Sequence, residues 1–270
     1  MINTLDEDFV SGGETVAEKN CKIYAFANQK GGVGKTTSAV NISAAVGVLG
    51  KKTLLVDMDP QGNSTSGAGI SKRVSLSVYD TIINDIDISG VIKKTKFKNL
   101  DLLPSTIALA GAEIELVDRE GREYMLKKAL DKVRDKYDFI FIDCPPSLGL
   151  LTINGLCASD GVIVPMQCEY FALEGLSQLT MTIAQIKRLY NHDLELSGVI
   201  ITMFDGRLNL SLQVLEEIKK HFPGKIFKTP VPRNVRLSEA PSYGMPAMYY
   251  DKYSKGALAY NDIAKEIAQL

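Results

Sequence analysis

The strongest constraint on this chain lies between residues 22 and 49, where three elements follow in direct succession. An apolar run from Lys22 to Ala27 predicts a strand, Gly31, Gly32 and Gly34 crowd the next turn, and Lys35-Thr36-Thr37 opens a predicted helix to about Leu49. A strand that passes through a glycine-rich turn into a helix aims several backbone N–H groups at one point, and the helix dipole reinforces them. An exposed anion there gains about 0.3 to 1 kcal/mol from the dipole alone. Lys35 is placed to reach the β and γ phosphates of a nucleotide, and the Thr36 hydroxyl to hold Mg2+. The competing reading, a glycine-rich turn with two solvated lysines, leaves the order of strand, loop, helix and hydroxyl unexplained.

The rest of the chain predicts the frame that such a loop needs. Short apolar runs near 22–27, 53–57, 100–103, 138–142, 161–165, 198–203 and 226–230 read as strands. Helical patterns cover 35–49, 122–135, 148–158, 172–190, 207–222 and 254–269. Continuous apolar strands separated by helices predict an α/β fold, a mostly parallel central sheet with helices on both faces. Ligands in such folds sit at the carboxyl ends of strands. The loop at 28–37, the segment Asp57 to Asp59 and Asp143 each follow a predicted strand. Residues 71–99 give no clear pattern.

Composition narrows the classes. The 270 residues are 45% hydrophobic, enough for one core, and a chain of this size buries roughly 70 to 75% of its unfolded surface. No interior linker divides residues 21–270, which read as one domain. Residues 1–20 hold Asp6, Glu7, Asp8, Glu14 and Glu18 against Lys19, with no apolar stretch. They read as a disordered acidic tail and not as a signal peptide. No apolar run is long enough for a membrane span. Cys21, Cys144, Cys157 and Cys168 lack metal or disulfide spacing and read as reduced core residues of a cytosolic protein.

The loop departs from the general phosphate-binding pattern Gly-x4-Gly-Lys-Ser/Thr, which would start with glycine at position 29, where this chain has Gln29. The sequence Lys30-Gly31-Gly32-Val33-Gly34-Lys35-Thr36-Thr37 instead resembles the variant loop of the ParA/MinD group of P-loop ATPases. Three further stretches are similar to the chromosomal ParA (Soj) branch: Val56-Asp57-Met58-Asp59-Pro60-Gln61-Gly62-Asn63, Ile142-Asp143-Cys144-Pro145-Pro146-Ser147, and Pro232-Arg233-Asn234-Val235-Arg236-Leu237-Ser238-Glu239-Ala240-Pro241. The resemblance runs over residues 21–270 and implies a P-loop NTPase fold and a weak Mg2+-dependent ATPase.

On that basis roles follow. Hydrolysis of a γ-phosphate asks for charge neutralisation and a placed water more than for covalent chemistry. Gln29 to Thr37 would wrap the phosphates. Asp143, ending its strand, would hold Mg2+ opposite Thr36; the alternative is a strand-end aspartate that caps a turn. The resemblance gives Asp59 the attacking water and Asp57 the support of the metal and γ-phosphate, against the plainer reading of both as turn residues. It also places adenine against Met203, Pro232 and Asn234. Lys30 would repel Lys35 by about 4 kcal/mol at 4 Å in an effective dielectric of 20, so it needs an anion. In the ParA/MinD group that anion is the ATP of a second subunit, which makes ATP a signal for homodimerisation. Glycines 31 and 32 would then let the two backbones approach.

Partners beyond ATP rest on local charge and on the resemblance. The formal net charge is −1, so nucleic-acid binding needs a patch. From Lys187 to Arg236 there are nine Lys or Arg and five Asp or Glu, an excess of four. Such runs are usually solvated faces. ParA-like dimers bind double-stranded DNA without sequence preference, and Arg207, Lys219, Lys220 and Arg236 are the expected contacts. Leu208, Leu212, Leu215, Ile218 and Phe222 are expected to form the buried face of helix 207–222. A ParB-like protein would stimulate hydrolysis, and the protein would be cytoplasmic and nucleoid-associated in its ATP state. Two other readings stay open: a MinD-like membrane switch, whose C-terminal helix would be basic and amphipathic, and an electron-transfer ATPase with a cysteine-bridged cluster. The nearly neutral stretch 260–270 disfavours the first, and the setting of Cys144, Cys157 and Cys168 the second.

Overall fold

The computed structural model describes residues 21–270; the acidic tail expected at 1–20 lies outside the described residues. Seven strands, β1 (Lys22–Phe26), β2 (Thr53–Asp57), β3 (Lys93–Lys94), β4 (Leu100–Leu103), β5 (Phe139–Asp143), β6 (Gly161–Gln167) and β7 (Glu195–Thr202), form one sheet in the order β3-β4-β2-β5-β1-β6-β7. All neighbours are parallel except β3 with β4. The alternation of strand side chains builds two cores from single strands. Ile23 and Ala25 of β1 face one core, and Tyr24 and Phe26 the other. The strand apolar on both faces is therefore the one that feeds the glycine loop, in the middle of the sheet.

The helices are α1 (Lys35–Val48), α2 (Asn63–Gly67), α3 (Val78–Ile82), α4 (Ile88–Val91), α5 (Leu109–Glu115), α6 (Met125–Asp131), α7 (Leu150–Cys157), α8 (Ala172–Leu189), α9 (Asn209–His221), α10 (Val235–Glu239), α11 (Ala247–Tyr250) and α12 (Lys255–Ile267). Helix α1 is buried nearly all round because α12 covers its outer side. Tyr260, Ile263, Ala264 and Ile267 of α12 are buried in the same core, and the Tyr260 and Ser38 hydroxyls lie 3.0 Å apart. The C-terminal helix thus spends its apolar face on the protein. All four cysteines are buried, and none forms a disulfide among the described residues. No helix among the described residues is long and apolar enough to cross a membrane.

Four expectations need correction. The strand expected at 226–230 does not form. Phe227 N donates to Val199 O (3.1 Å) and Val231 N to Ile201 O (2.8 Å), so a five-residue stretch matches three residues of β7. The extra chain bulges out around Pro230, which has no N–H to give a ladder. The helix expected at 122–135 is split, with a 3₁₀ turn at Arg122–Tyr124 ahead of α6 and another at Arg134–Lys136 after it. The buried Asn154 side chain of α7 takes Leu126 N (3.1 Å) and donates to Arg122 O (2.8 Å), inserting into the start of that helix. The buried face of α9 is Ser211, Val214 and Ile218, with Leu215 and Phe222 partly buried, while Leu208 and Leu212 are exposed. Leu208 sits in extended backbone before the helix, and a small Ser211 lets the helix roll onto the neighbouring face. Finally, 71–99 holds α3, α4 and β3, each too short for a period to show. The Ser77-x-x-Asp80 capping box, with Ser77 N donating to Asp80 Oδ2 (2.8 Å), was the available signal.

Candidate functional site

The loop after β1 is folded by its own backbone. Gly32 and Gly34 sit at φ +74° and +88°, left-handed values that a side chain resists. Asn28 fixes the entry, taking Lys30 N (3.0 Å) and donating to Pro165 O (2.8 Å) of β6. Val33 is buried, and its carbonyl accepts from the Thr202 hydroxyl (2.8 Å), which also lies 3.0 Å from Met166 O. Gln167 Nε2 donates to Gly32 O (3.1 Å). Gln29, Lys30, Gly31 and Gly32 are exposed, and a Cβ at Gly31 or Gly32 would meet nothing within 4 Å. Crowding inside one chain therefore gives no reason for glycine at 31.

Lys35 is the buried lysine of the site, 7% exposed, with Nζ donating to Lys30 O (3.2 Å). Burial pulls its pKa down, and the charges of Asp143, Cys144 and Asp59 oppose that. Lys30 points the other way and pairs with Glu169. The Thr36 hydroxyl lies toward Asp143 and favours its charged form, while Thr37, one turn into α1, lines the adjoining cavity.

Asp57 and Asp143 end adjacent strands in register, side by side and fully buried. Burial pushes both carboxyls up, and for Asp57 the neighbouring Asp143 charge adds to it. Asp57 Oδ2 accepts from Thr65 N and the Thr65 hydroxyl (both 2.7 Å), and Oδ1 from Asp59 N (3.2 Å). Its carboxylate is thereby held by the first residues of α2 and by Asp59 N. Asp143 Oδ2 accepts from Ser64 Oγ (2.7 Å), whereas the buried Oδ1 has no hydrogen-bond partner among the described residues. Ser64 and Thr65 escaped sequence reasoning, because α2 is a five-residue helix without a periodic face. Asp59 is half-buried, with Oδ1 accepting from Gln61 N (2.9 Å).

An orphaned buried carboxylate oxygen beside a threonine hydroxyl is an arrangement that suits a divalent cation. Mg2+ takes one or two protein ligands and fills its shell with water and phosphate oxygens; among the described residues no cluster of three or more His, Cys, Asp or Glu forms a cage.

Beside the loop opens a cavity of about 370 Å³ lined by Gly34, Thr37, Thr202, Met203, Pro232 and Asn234, with Tyr260 at its floor. Met203 holds a left-handed backbone at φ +50°, a strained value for its side chain. Asn234 Oδ1 caps α10 through Arg236 N (3.0 Å), and its amide nitrogen has no hydrogen-bond partner among the described residues. Loop, buried carboxylates and cavity form one continuous site at the carboxyl end of the sheet.

The chain matches known proteins over most of its length. An AAA domain family covers residues 21–196. The sporulation initiation inhibitor protein Soj of Bacillus subtilis is 58% identical over 92% of this chain and 98% of its own length. The chromosome partitioning protein ParA of Myxococcus xanthus is 49% identical over 91% and 87%. The chain belongs to the ParA/Soj family of P-loop ATPases. Cobyrinic acid a,c-diamide synthase from Mycobacterium smegmatis, solved with a bound ATP analogue and magnesium, shares the ParA/Soj fold seen here, with a TM-score of 0.83 at 40% identity over 92% of this chain and 94% of that one.

The four basic residues expected as DNA contacts, Arg207, Lys219, Lys220 and Arg236, are all exposed and all paired within the chain. Arg207 makes two side-chain bonds to Asp205 (2.9 and 2.7 Å), which hold the Asp205 carboxyl down at about 2. Lys219 pairs with Glu216 (2.8 Å) and Lys220 with Glu217 (2.6 Å). Arg236 pairs with Glu239 (2.8 Å) and Asp251 (3.4 Å). The bridge between Phe204 and Pro232 runs the segments carrying Arg207 and Arg236 alongside each other. Lys219 lies at a separate cavity under α9, together with Phe222 and Phe227.

Proposed function

We propose that the chain is an ATP-dependent dimerising ATPase that partitions a chromosome or plasmid. The observation that carries this reading is the unpartnered Asp143 Oδ1, buried near Lys35 and Thr36, on the same glycine loop whose Gly34 and Thr37 line a cavity with Met203, Pro232 and Asn234. A nucleotide laid along the site would put adenine between Met203 and Pro232, with the free amide nitrogen of Asn234 at the base edge. Its phosphates would lie on residues 29–37. Mg2+ would be held by Thr36 and, through water, Asp143, and would neutralise phosphate charge. Lys35 serves the phosphates of its own subunit, and Asp59, half-buried at the mouth, orients the water. Asp57, side by side with Asp143 and anchored on Thr65, supports the metal and γ-phosphate shell.

Lys30 leaves the site and points outward, which supports its action on the nucleotide of a second copy, as an arginine finger supplied in trans acts in other P-loop proteins. The ATP-bound homodimer holds double-stranded DNA non-specifically through Arg207, Lys219, Lys220 and Arg236, doubling the phosphate contacts of one subunit. Hydrolysis, stimulated by a ParB-like protein, releases it. The protein is then cytoplasmic, and on the nucleoid when ATP-bound. The docked α12 supports this reading over a MinD-like membrane switch.

Molar mass measured with and without Mg-ATP tests the scheme. The native chain should dimerise only with ATP, Lys30→Ala should stay monomeric, and Asp59→Ala should remain dimeric, with hydrolysis lost in both variants. A native chain that stays monomeric at saturating Mg-ATP sinks the proposal.

A further inference from the structure

The ion pair between Lys30 and Glu169 joins the loop after β1 to the loop between β6 and α8, and both side chains are about half exposed. The backbone of Lys30 is fixed independently of it, with N–H donated to Asn28 Oδ1 (3.0 Å) and the carbonyl accepting from Lys35 Nζ (3.2 Å). Only the side chain is free to choose a partner. The Glu169 backbone is equally fixed, with N–H on Gln167 O (3.0 Å) and the carbonyl taking Ala172 N (2.9 Å). Gln167 in turn bonds Gly32 O (3.1 Å), so the two loops hold one geometry while the side chains between them can separate. The cleft lined by Lys30 and Glu169 measures about 40 Å³, too small for a nucleotide. The next side chains, Tyr170 and Phe171, are exposed rings in edge-to-face contact. The pair therefore borders an apolar projection on the face from which Lys30 points.

We propose that Glu169 is the positioning residue of Lys30: it holds the ammonium on its own subunit until the phosphates of a second copy's nucleotide displace it. This rests on reading Lys30 as a ligand in trans. One carboxylate offers a single negative charge at a solvated site, where ion pairs are weak and screened. A triphosphate presents several charges, in an interface from which water is being removed. The exchange thus runs toward the nucleotide only when ATP is present, and Glu169 sets how much ATP is needed. With Glu169 in place, a ligand-free subunit presents a neutral pair to its neighbour instead of a bare cation.

The test is the dimer dissociation constant of the full chain with a non-hydrolysable ATP analogue and Mg2+, for the native protein, Glu169→Gln, Lys30→Ala and the double variant. An exposed ion pair shifts an equilibrium by about 1.5- to 5-fold, and each dimer opens two. Glu169→Gln should therefore tighten the dimer by about 2- to 30-fold, while the affinity of the monomer for a fluorescent ADP analogue changes less than about twofold. In the Lys30→Ala background, where no dimer is expected, the same substitution should restore none, whereas a general effect of charge at position 169 would promote association there as well. Unchanged or weaker dimerisation in Glu169→Gln, with Lys30→Ala unable to dimerise, overturns this proposal alone. Association promoted in both backgrounds overturns it too, as a general effect of charge. A Lys30→Ala chain that dimerises like the native one overturns the trans reading itself.

Discussion

Replacing Asp143 with asparagine should have effects of opposite sign with and without ligand. In the nucleotide-free protein, burial pushes the Asp143 carboxyl up to about 6 from an ordinary 3.8. Each unit of such a rise is worth about 1.4 kcal/mol, and the rise is shared with Asp57, whose carboxyl the Asp143 charge pushes up in turn. The folded state holds this proton more tightly than the unfolded chain, so the associated stability is complete below about pH 4 and is lost as pH rises through about 6. Asparagine cannot ionise and escapes the loss. It also keeps an oxygen for the Ser64 hydroxyl, 2.7 Å away in the native site. Allowing about 1 kcal/mol for a poorer bond, Asp143→Asn should be more stable than the native protein by up to about 2 kcal/mol at pH 8. That is about 4 to 8 °C in Tm for a domain of this size. Mg-ATP should reverse the order, stabilising the native protein and not the variant, because the charge that balances the metal is gone. Thermal unfolding at pH 8 and pH 5, with and without Mg-ATP, reads all four states. A nucleotide-free variant less stable than native at pH 8, or a margin that does not shrink at pH 5, would refute the reasoning.

Thr202→Val keeps the shape of the side chain but strips the hydroxyl from Val33 O and Met166 O. It should cost about 1 to 3 kcal/mol of stability and weaken binding of a fluorescent nucleotide about tenfold; unchanged binding would show that the loop does not depend on this strut. Asn154→Ala removes bonds to Leu126 N, Arg122 O and Leu150 O in the core. Urea unfolding should show a loss of about 2 to 4 kcal/mol with the nucleotide site intact. Arg236→Glu should abolish retention on DNA while ATP binding survives, since it sets a third carboxylate beside Glu239 and Asp251. Retention unchanged at low salt would remove Arg236 from the DNA surface.

The parallel sheet and the glycine loop were legible because their signals are local. Runs such as Phe139–Ile142 leave no polar face, and a strand buried on both sides has no other place than the middle of a sheet. The break in 122–135 was not legible, because Asn154, which makes it, lies some thirty residues away. The true face of α9 and the bulge at 228–230 were hidden for the same reason, each being settled by a neighbour remote in sequence.

At the site the division is sharper. By itself the chain determined where a phosphate would sit, because backbone N–H groups, a helix start and Lys35 are fixed by contiguous residues. It also marked Lys30 as a cation in need of an anion. Only the tertiary structure decided what surrounds those groups: Asp57 turned onto Thr65, Asp143 left with one bare oxygen, and Lys30 resting on Glu169, 139 residues further on. The physical reason is burial. Type and spacing set which charges a segment carries, but whether each is desolvated, paired or left open depends on which distant segment the fold lays against it.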